Sequence, residues 1–244
     1  MNIQDRKVTK KSLLAEAQRF KKSIGTKNES SLHRTLKFQY TGTGGKSEVE
    51  VGEYVADGVS KEGEYIEVQT GSFAPLRKKA PVFAANGRVR IIHPVAVTKR
   101  IEVFNPEGKL LYKRKSPVHG SKWDIFDALL HAPELPLIKG LNIELAFVDI
   151  TEKRIKDGKG SWRRKGISIQ DREMAAWHES LLFTKPKDYL IFIPFKKKEE
   201  FTVSSLAQKA EITINIARKA LYVLTKIKVV KRIGKKSRAW VYVI

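Results

Sequence analysis

Asp57 and Glu67 are the residues of this chain best placed by type and spacing to do chemistry. Carboxylates gathered at one point bind a hard cation such as Mg²⁺ (or Mn²⁺). Such an ion activates a water and neutralises charge on a scissile phosphate. The run Asp57-Gly58-Val59-Ser60-Lys61-Glu62-Gly63-Glu64-Tyr65-Ile66-Glu67-Val68-Gln69 reads as a strand ending on an acid, a Gly-containing turn and a strand carrying Glu-x-Gln. Antiparallel pairing would bring Asp57 and Glu67 within reach of a common cation. Asp57 closes the apolar stretch Tyr54-Val55-Ala56, and Glu67 stands between Ile66 and Val68. Both acids therefore carry a desolvation cost that a cation would offset. Strand alternation puts Glu67 and Gln69 on one face, with Ile66 and Val68 on the other.

The acids are localised. Eight lie from Glu29 to Glu67 and none between Val68 and Ile101. Glu48, Glu53, Glu62 and Glu64 read as a solvated strand edge. The rest of the chain is strongly basic, with 48 Lys and Arg against 26 Asp and Glu over 244 residues and a net charge of +22. That balance implies a polyanionic partner, and its clustering points to nucleic acid, with an anionic membrane surface as the competitor. A hydrophobic content of 41% supports real cores. The absence of Cys excludes disulfides, thiol catalysis and Cys-ligated zinc, and the five His show no zinc-ligand spacing. No apolar run approaches the ~20 residues that span a bilayer. The Lys-rich start lacks the apolar segment of a secretory signal. The expectation is a cytoplasmic protein with no membrane partner.

The elements that must position these residues follow from periodicity. Residues 1–25 read as a basic N-terminal helix or arm, with Leu13, Leu14, Ala17, Phe20 and Ile24 at helical spacing. A helix is expected over 29–40, with Asn28 as N-cap and Leu32 and Leu36 facing inward. Three short strands or a bent hairpin follow between Val49 and Val68. Pro75 opens a helix to about residue 85, and 88–97 is a buried strand. His33 and Lys37 can share the face of Glu29, either as a phosphate-facing strip or as a solvated helix face. Further on, the pattern gives a turn at 105–108, a helix over 123–131, a strand over 143–150, a basic loop over 153–165 and a helix over 169–182. Trp162 in the basic loop could stack on a base while Arg163, Arg164 and Lys165 clamp phosphate; the alternative is a charged tip with the ring packed inward. His93 reads as structural.

The last 49 residues carry thirteen Lys and Arg against three Glu. They read as a capped short helix, a tight turn, a longer helix and a basic-tipped hairpin. This is the pattern of a winged helix-turn-helix, whose second helix would present Asn215, Arg218 and Lys219 to the major groove. Lys235, Lys236 and Arg238 at the wing tip suit phosphate contacts. A winged helix that binds protein is the rival.

The stretch from Glu29-Ser30-Ser31-Leu32-His33-Arg34-Thr35-Leu36-Lys37 to Ile66-Glu67-Val68-Gln69-Thr70-Gly71-Ser72-Phe73 resembles the PD-(D/E)xK nuclease superfamily, which includes restriction endonucleases and Holliday-junction resolvases. The resemblance covers residues 28–95. It implies Asp57 as the family Asp, Glu67 as its (D/E) and Glu29 as the extra acid of the first helix. Gln69 stands at the family's lysine position, where it would orient a water or ligand, and Lys79 or Lys78 on the next helix would supply the positive charge. The implied cofactor is Mg²⁺ or Mn²⁺, held by Asp57, Glu67 and Glu29. The implied activity is that of a metal-dependent endodeoxyribonuclease, and the implied assembly is a homodimer, because one site cuts one strand. The rival reading keeps the fold without the chemistry: a DNA-binding regulator or structural partner in a defence or mobile-element complex. The expected fold class is an α/β restriction-endonuclease-like core, a mixed sheet flanked by helices, at 26–98. An α+β middle region follows at 99–195, and a C-terminal winged-helix domain at 196–244.

Overall fold

The computed structural model of the chain describes residues 29–244. The expected arm at 1–25 and the Asn28 cap lie outside the described residues. Helix α1 spans Ser31–Thr41. It starts two residues later than expected because the Ser30 side chain caps it, accepting from the His33 N–H. Glu29 therefore precedes the first turn. The helix stops at Gly42, whose φ of 67° lets its N–H reach the Phe38 carbonyl.

Strands β1 (Lys46–Val51) and β2 (Tyr54–Val59) form a tight hairpin, and β3 (Tyr65–Val68) pairs antiparallel with β2. Helix α2 (Leu76–Asn86) then crosses over to β4 (Val89–Phe104), which runs parallel to β3. The order helix, strands, helix, strand is as expected, and the strands number three rather than forming a bent hairpin. Strand β4 is longer than expected and runs through residue 98. Its far end pairs with β5 (Leu110–Lys115) after the turn at 105–108. A short helix, α3 (Ile125–Leu129), leads to β6 (Leu141–Lys156), parallel to β4 along almost its whole length. The first residues of the expected basic loop, from Lys153, belong to β6.

Strand β7 (Ile167–Phe183) pairs antiparallel with β6 and corrects the helix expected over 169–182. The register shifts at three places, each adding a residue on β7. These bulges break the period of two, so Ile169, Met174, Trp177 and Leu181 fall at spacings that read as helical. The result is one seven-stranded mixed sheet, ordered β1-β2-β3-β4-β6-β7 with β5 on β4. It spans the expected boundary at 98/99.

Helices flank this sheet on both faces. On one, Leu32 and Leu36 of α1 pack over Ile66, Val68, Ile92, Ala146, Val148 and Ile150. On the other, Leu76 and Phe83 of α2 and Ile125 and Phe126 of α3 cover Val89, Ile91, Ile143 and Leu145. The chain ends in α4 (Val203–Lys209), α5 (Ile214–Lys226) and the hairpin β8 (Lys231–Lys236) and β9 (Ala239–Val243). Thr202 and Thr213 cap the two helices, as their positions before apolar runs imply. Leu206, Ala217, Ala220, Leu221 and Leu224 join the same core as Phe126 and Phe192, so this end is packed onto the sheet's helical layer. No helix among the described residues is long and apolar enough to cross a membrane.

Candidate functional site

At Asp57 the β-ladder is interrupted on both sides. Pairing of β2 with β3 runs from Val59 only to Gly58↔Ile66. Pairing of β2 with β1 skips from Ser47↔Gly58 to Val49↔Ala56, and the residue opposite Asp57, Glu48, takes a left-handed φ of 53°. A non-glycine residue in that region is uncommon and mildly strained. Side chains replace the missing ladder bonds. Asp57 Oδ2 accepts the Val68 N–H at 2.8 Å, and the Asp57 N–H donates to Glu67 Oε1 at 3.3 Å. Asp57 is thus interior to β2 rather than its last residue, because Gly58 and Val59 still pair on both sides.

Each carboxylate has a basic side chain from a different element. Glu67, 2% exposed, meets Lys79 of α2 at 2.6 Å through Oε2. His33 of α1 places Nε2 2.9 Å from Asp57 Oδ2, leaving Oδ1 without a hydrogen bond among the described residues. The other His33 nitrogen is 3.5 Å from Glu29 Oε1, and Lys37 Nζ is 3.1 Å from the same oxygen. Glu29 Oε1 is buried with these ion-pair contacts and no hydrogen bond. Lys37 also lies 3.8 Å from Glu48. His33 and Lys37 are therefore committed to carboxylates, in place of the phosphate-facing strip or solvated face. Together with Glu29, Glu48, Val55, Ala56 and Asp57 they line a cleft of about 270 Å³.

The electrostatics separate the two central acids. Burial raises Asp57, but the His33 hydrogen bond and charge, the Val68 N–H and Lys79 outweigh it and hold the carboxyl below its usual range. Burial, then the charge of Asp57, push Glu67 up to about 7 against the pull of Lys79. A buried carboxyl kept near neutrality beside an ionised one is a pair that a divalent cation would relieve. The oxygen donors suit Mg²⁺ or Mn²⁺, and Mg²⁺ commonly takes only one or two protein carboxylates beside water and substrate phosphate. Among the described residues no group of three or more His, Asp or Glu forms a ready-made cage. The fit is thus to a two-carboxylate site, with Glu29 set back behind His33.

The other candidates divide. Lys79 is in the site, while Lys78 is exposed on α2. Gln69 spends its amide elsewhere: it donates to the Ser72 carbonyl at 2.8 Å and shapes the turn before α2. His93 is buried within β4, its Nδ1 2.7 Å from the Gln69 carbonyl, with burial lowering its pKa, which fits a structural role. Glu64 corrects the solvated-edge expectation. It is 8% exposed and, with Glu144, clamps Arg90 at 2.9 and 2.8 Å. Asp171 was missed altogether; it receives both the backbone N–H and the hydroxyl of Ser31 and ties α1 to β7. Nothing short of the fold pairs residues 140 positions apart.

On the C-terminal unit, Asn215 and Arg218 are exposed on α5, and Lys235, Lys236 and Arg238 are exposed on the β8–β9 hairpin. Lys219 departs from the outward role expected of it: its ammonium pairs with Asp127 of α3. Arg163 and Lys165 are exposed at the β6–β7 tip, whereas Arg164 Nε donates to the Ile167 carbonyl at 3.1 Å.

Residues 30–184 match a family described as a domain of unknown function, DUF8091. The match begins at the cap of α1 and ends just after β7, so it takes in the whole seven-stranded sheet and stops before α4. An uncharacterised protein of Treponema pallidum (strain Nichols) is 28% identical over 186 residues, covering 76% of this chain and 74% of that protein. No solved structure matches.

Proposed function

The chain belongs to the DUF8091 family, and within it we propose a divalent-cation-dependent DNA endonuclease whose site is the fork at Asp57 and Glu67. The observation that carries this reading is the pair of electrostatically coupled carboxylates filling a broken ladder, with Lys79 on the deeper one. Asp57 and Glu67 would hold Mg²⁺ or Mn²⁺, and Glu29 would act from the outer side. The ion supplies activation of a water and neutralisation of the phosphate's charge when bound. Lys79 keeps Glu67 oriented and favours its ionised form. His33 fixes Asp57 Oδ2 and turns Oδ1 toward a ligand. The α4–α5–β8–β9 unit would act as a winged helix, with Asn215 and Arg218 toward the groove and Lys235, Lys236 and Arg238 on phosphates.

Incubation with supercoiled, linear and branched DNA in Mg²⁺ or Mn²⁺, against an EDTA control, tests the reading. Metal-dependent strand breaks are expected. The rival, a DNA-binding protein without chemistry, is favoured by one observation: Gln69 is spent on the Ser72 backbone, and every acid of the fork already has a basic side chain as partner. DNA binding without cutting under all these conditions would select it.

A further inference from the structure

The four tryptophans are used differently. Trp123 packs against Phe126 and Phe192, and Trp177 against Tyr40. Trp240 lies beneath Arg232 and Lys235, at 4.4 and 4.6 Å. Trp162, at the β6–β7 tip, is 83% exposed. The inward-packed alternative for its ring is thus not what the fold adopts. A large aromatic ring left in water forgoes its burial energy.

The tip that presents it is firmly built. Asp157 accepts the Ser168 hydroxyl at 2.7 Å and the Lys159 N–H at 3.0 Å. The Gly160 N–H donates to the Gly166 carbonyl at 3.0 Å, and a Cβ on Gly160 would meet the Ile167 carbonyl oxygen at 1.9 Å. Arg164 is anchored to that same carbonyl. The 3-10 turn Trp162–Arg164 is therefore held in place by its neighbours while its indole stays outside. Arg163 lies 5.4 Å from the ring centroid, and Lys159 and Lys165 are exposed beside it.

A flat ring among cations has most to gain from a ligand that is both anionic and flat-faced. Duplex DNA offers base edges in its grooves, whereas an unpaired nucleotide offers a π-face with phosphates on either side. We propose that the β6–β7 tip is a binding site for an unpaired nucleotide, with Trp162 stacking on the base and Arg163 and Lys165 holding the flanking phosphates. The substrate class of the fork is then DNA carrying a single-stranded segment, such as a gap or flap. The inference rests on the nucleic-acid part of the reading above and not on cleavage. The Ser31–Asp171 link ties α1, which carries His33, to β7, the strand that leaves the tip. Asp171 stands four residues from Ile167, roughly 13 Å along the strand at ~3.3 Å per residue.

The test is fluorescence anisotropy of the full chain in EDTA, with a labelled single-stranded oligonucleotide, its duplex, and the duplex with a short gap. Trp162→Ala removes a side chain that no core contact needs, so the fold is expected to survive. Stacking of one base is worth about 1–3 kcal/mol, so the variant is expected to bind the single strand and gapped duplex about 5- to 150-fold more weakly. Intact duplex binding should change less than about twofold, and Trp162→Phe should recover part of the loss. Equal affinities of wild type and Trp162→Ala for the single strand, or an equal loss on intact duplex, overturn the proposal alone. So does a Trp162-dependent blue shift with phosphatidylglycerol vesicles alongside unchanged oligonucleotide binding, which would assign the tip to a membrane. Wild type that binds no nucleic acid overturns both this proposal and the reading beneath it.

Discussion

Asp57 gives up two stretches of ladder to put a carboxylate where backbone pairing would otherwise run, and Glu67 is pushed toward its neutral form by burial and then by the charge of Asp57. The second effect has a measurable sign. Glu67's folded pKa of about 7 stands above the ordinary value of 4.5. The folded state holds a proton that the unfolded chain releases first, so the associated stability is complete below about pH 4.5 and lost as pH rises through about 7. Glu67→Gln is neutral throughout. Its melting midpoint is expected to fall less between pH 5 and pH 8 than that of wild type; an equally steep fall contradicts the assignment. Removing the partner has the opposite sense. Lys79→Met leaves Glu67 buried without a cation and should cost about 3 kcal/mol at pH 8, read by urea unfolding, and much less at pH 5, where the carboxyl takes up a proton. Asp57 and Glu67 were legible as a pair because acids beside Tyr54-Val55-Ala56 and between Ile66 and Val68 are costly without a purpose. The commitment of His33 to Asp57 was not, since 24 residues separate them and only packing of α1 on the sheet brings them together.

Helix α1 is the element on which the site depends. It carries His33 and Lys37 inward, is capped by Ser30, and is moored by Leu32 and Leu36 on one side and Asp171 on the other. Leu36→Ala should cost about 2–5 kcal/mol in chemical denaturation, because its side chain is fully buried. Leu32 and Leu36 were readable from helical spacing and the three short strands from alternation and turn residues. Strand β7 was not, because its three register shifts disrupt the alternation by which a strand is recognised. The exposed face of α5 was legible for Asn215 and Arg218 but not for Lys219, which the fold turns onto Asp127. Arg218→Ala is therefore expected to weaken DNA binding and lower its salt slope by about one, with Lys219→Ala doing neither. Equal effects of the two would contradict this division.

In the whole molecule, charge is partitioned by construction. Among the described residues, Glu29, Asp57 and Glu67 meet basic side chains at the fork, while exposed cations occupy α5, the β8–β9 hairpin and the β6–β7 tip. The C-terminal unit shares an apolar core with the helices on the sheet, so α4, α5 and the β8–β9 hairpin belong to one body with the fork. Composition pointed to a polyanionic partner, and the resemblance over 28–95 pointed to Asp57 and Glu67. Neither could show that the sheet continues past residue 98 to β7, because β4, β6 and β7 find one another only in three dimensions. The most direct test of the central claim is single-turnover DNA cleavage in Mg²⁺ by wild type and by Asp57→Ala with Glu67→Ala, both shown to be folded by circular dichroism. The account predicts metal-dependent cutting by wild type and a loss of at least about 10³-fold in the double variant, the rate equivalent of several kcal/mol. Undiminished cutting by the double variant would contradict it.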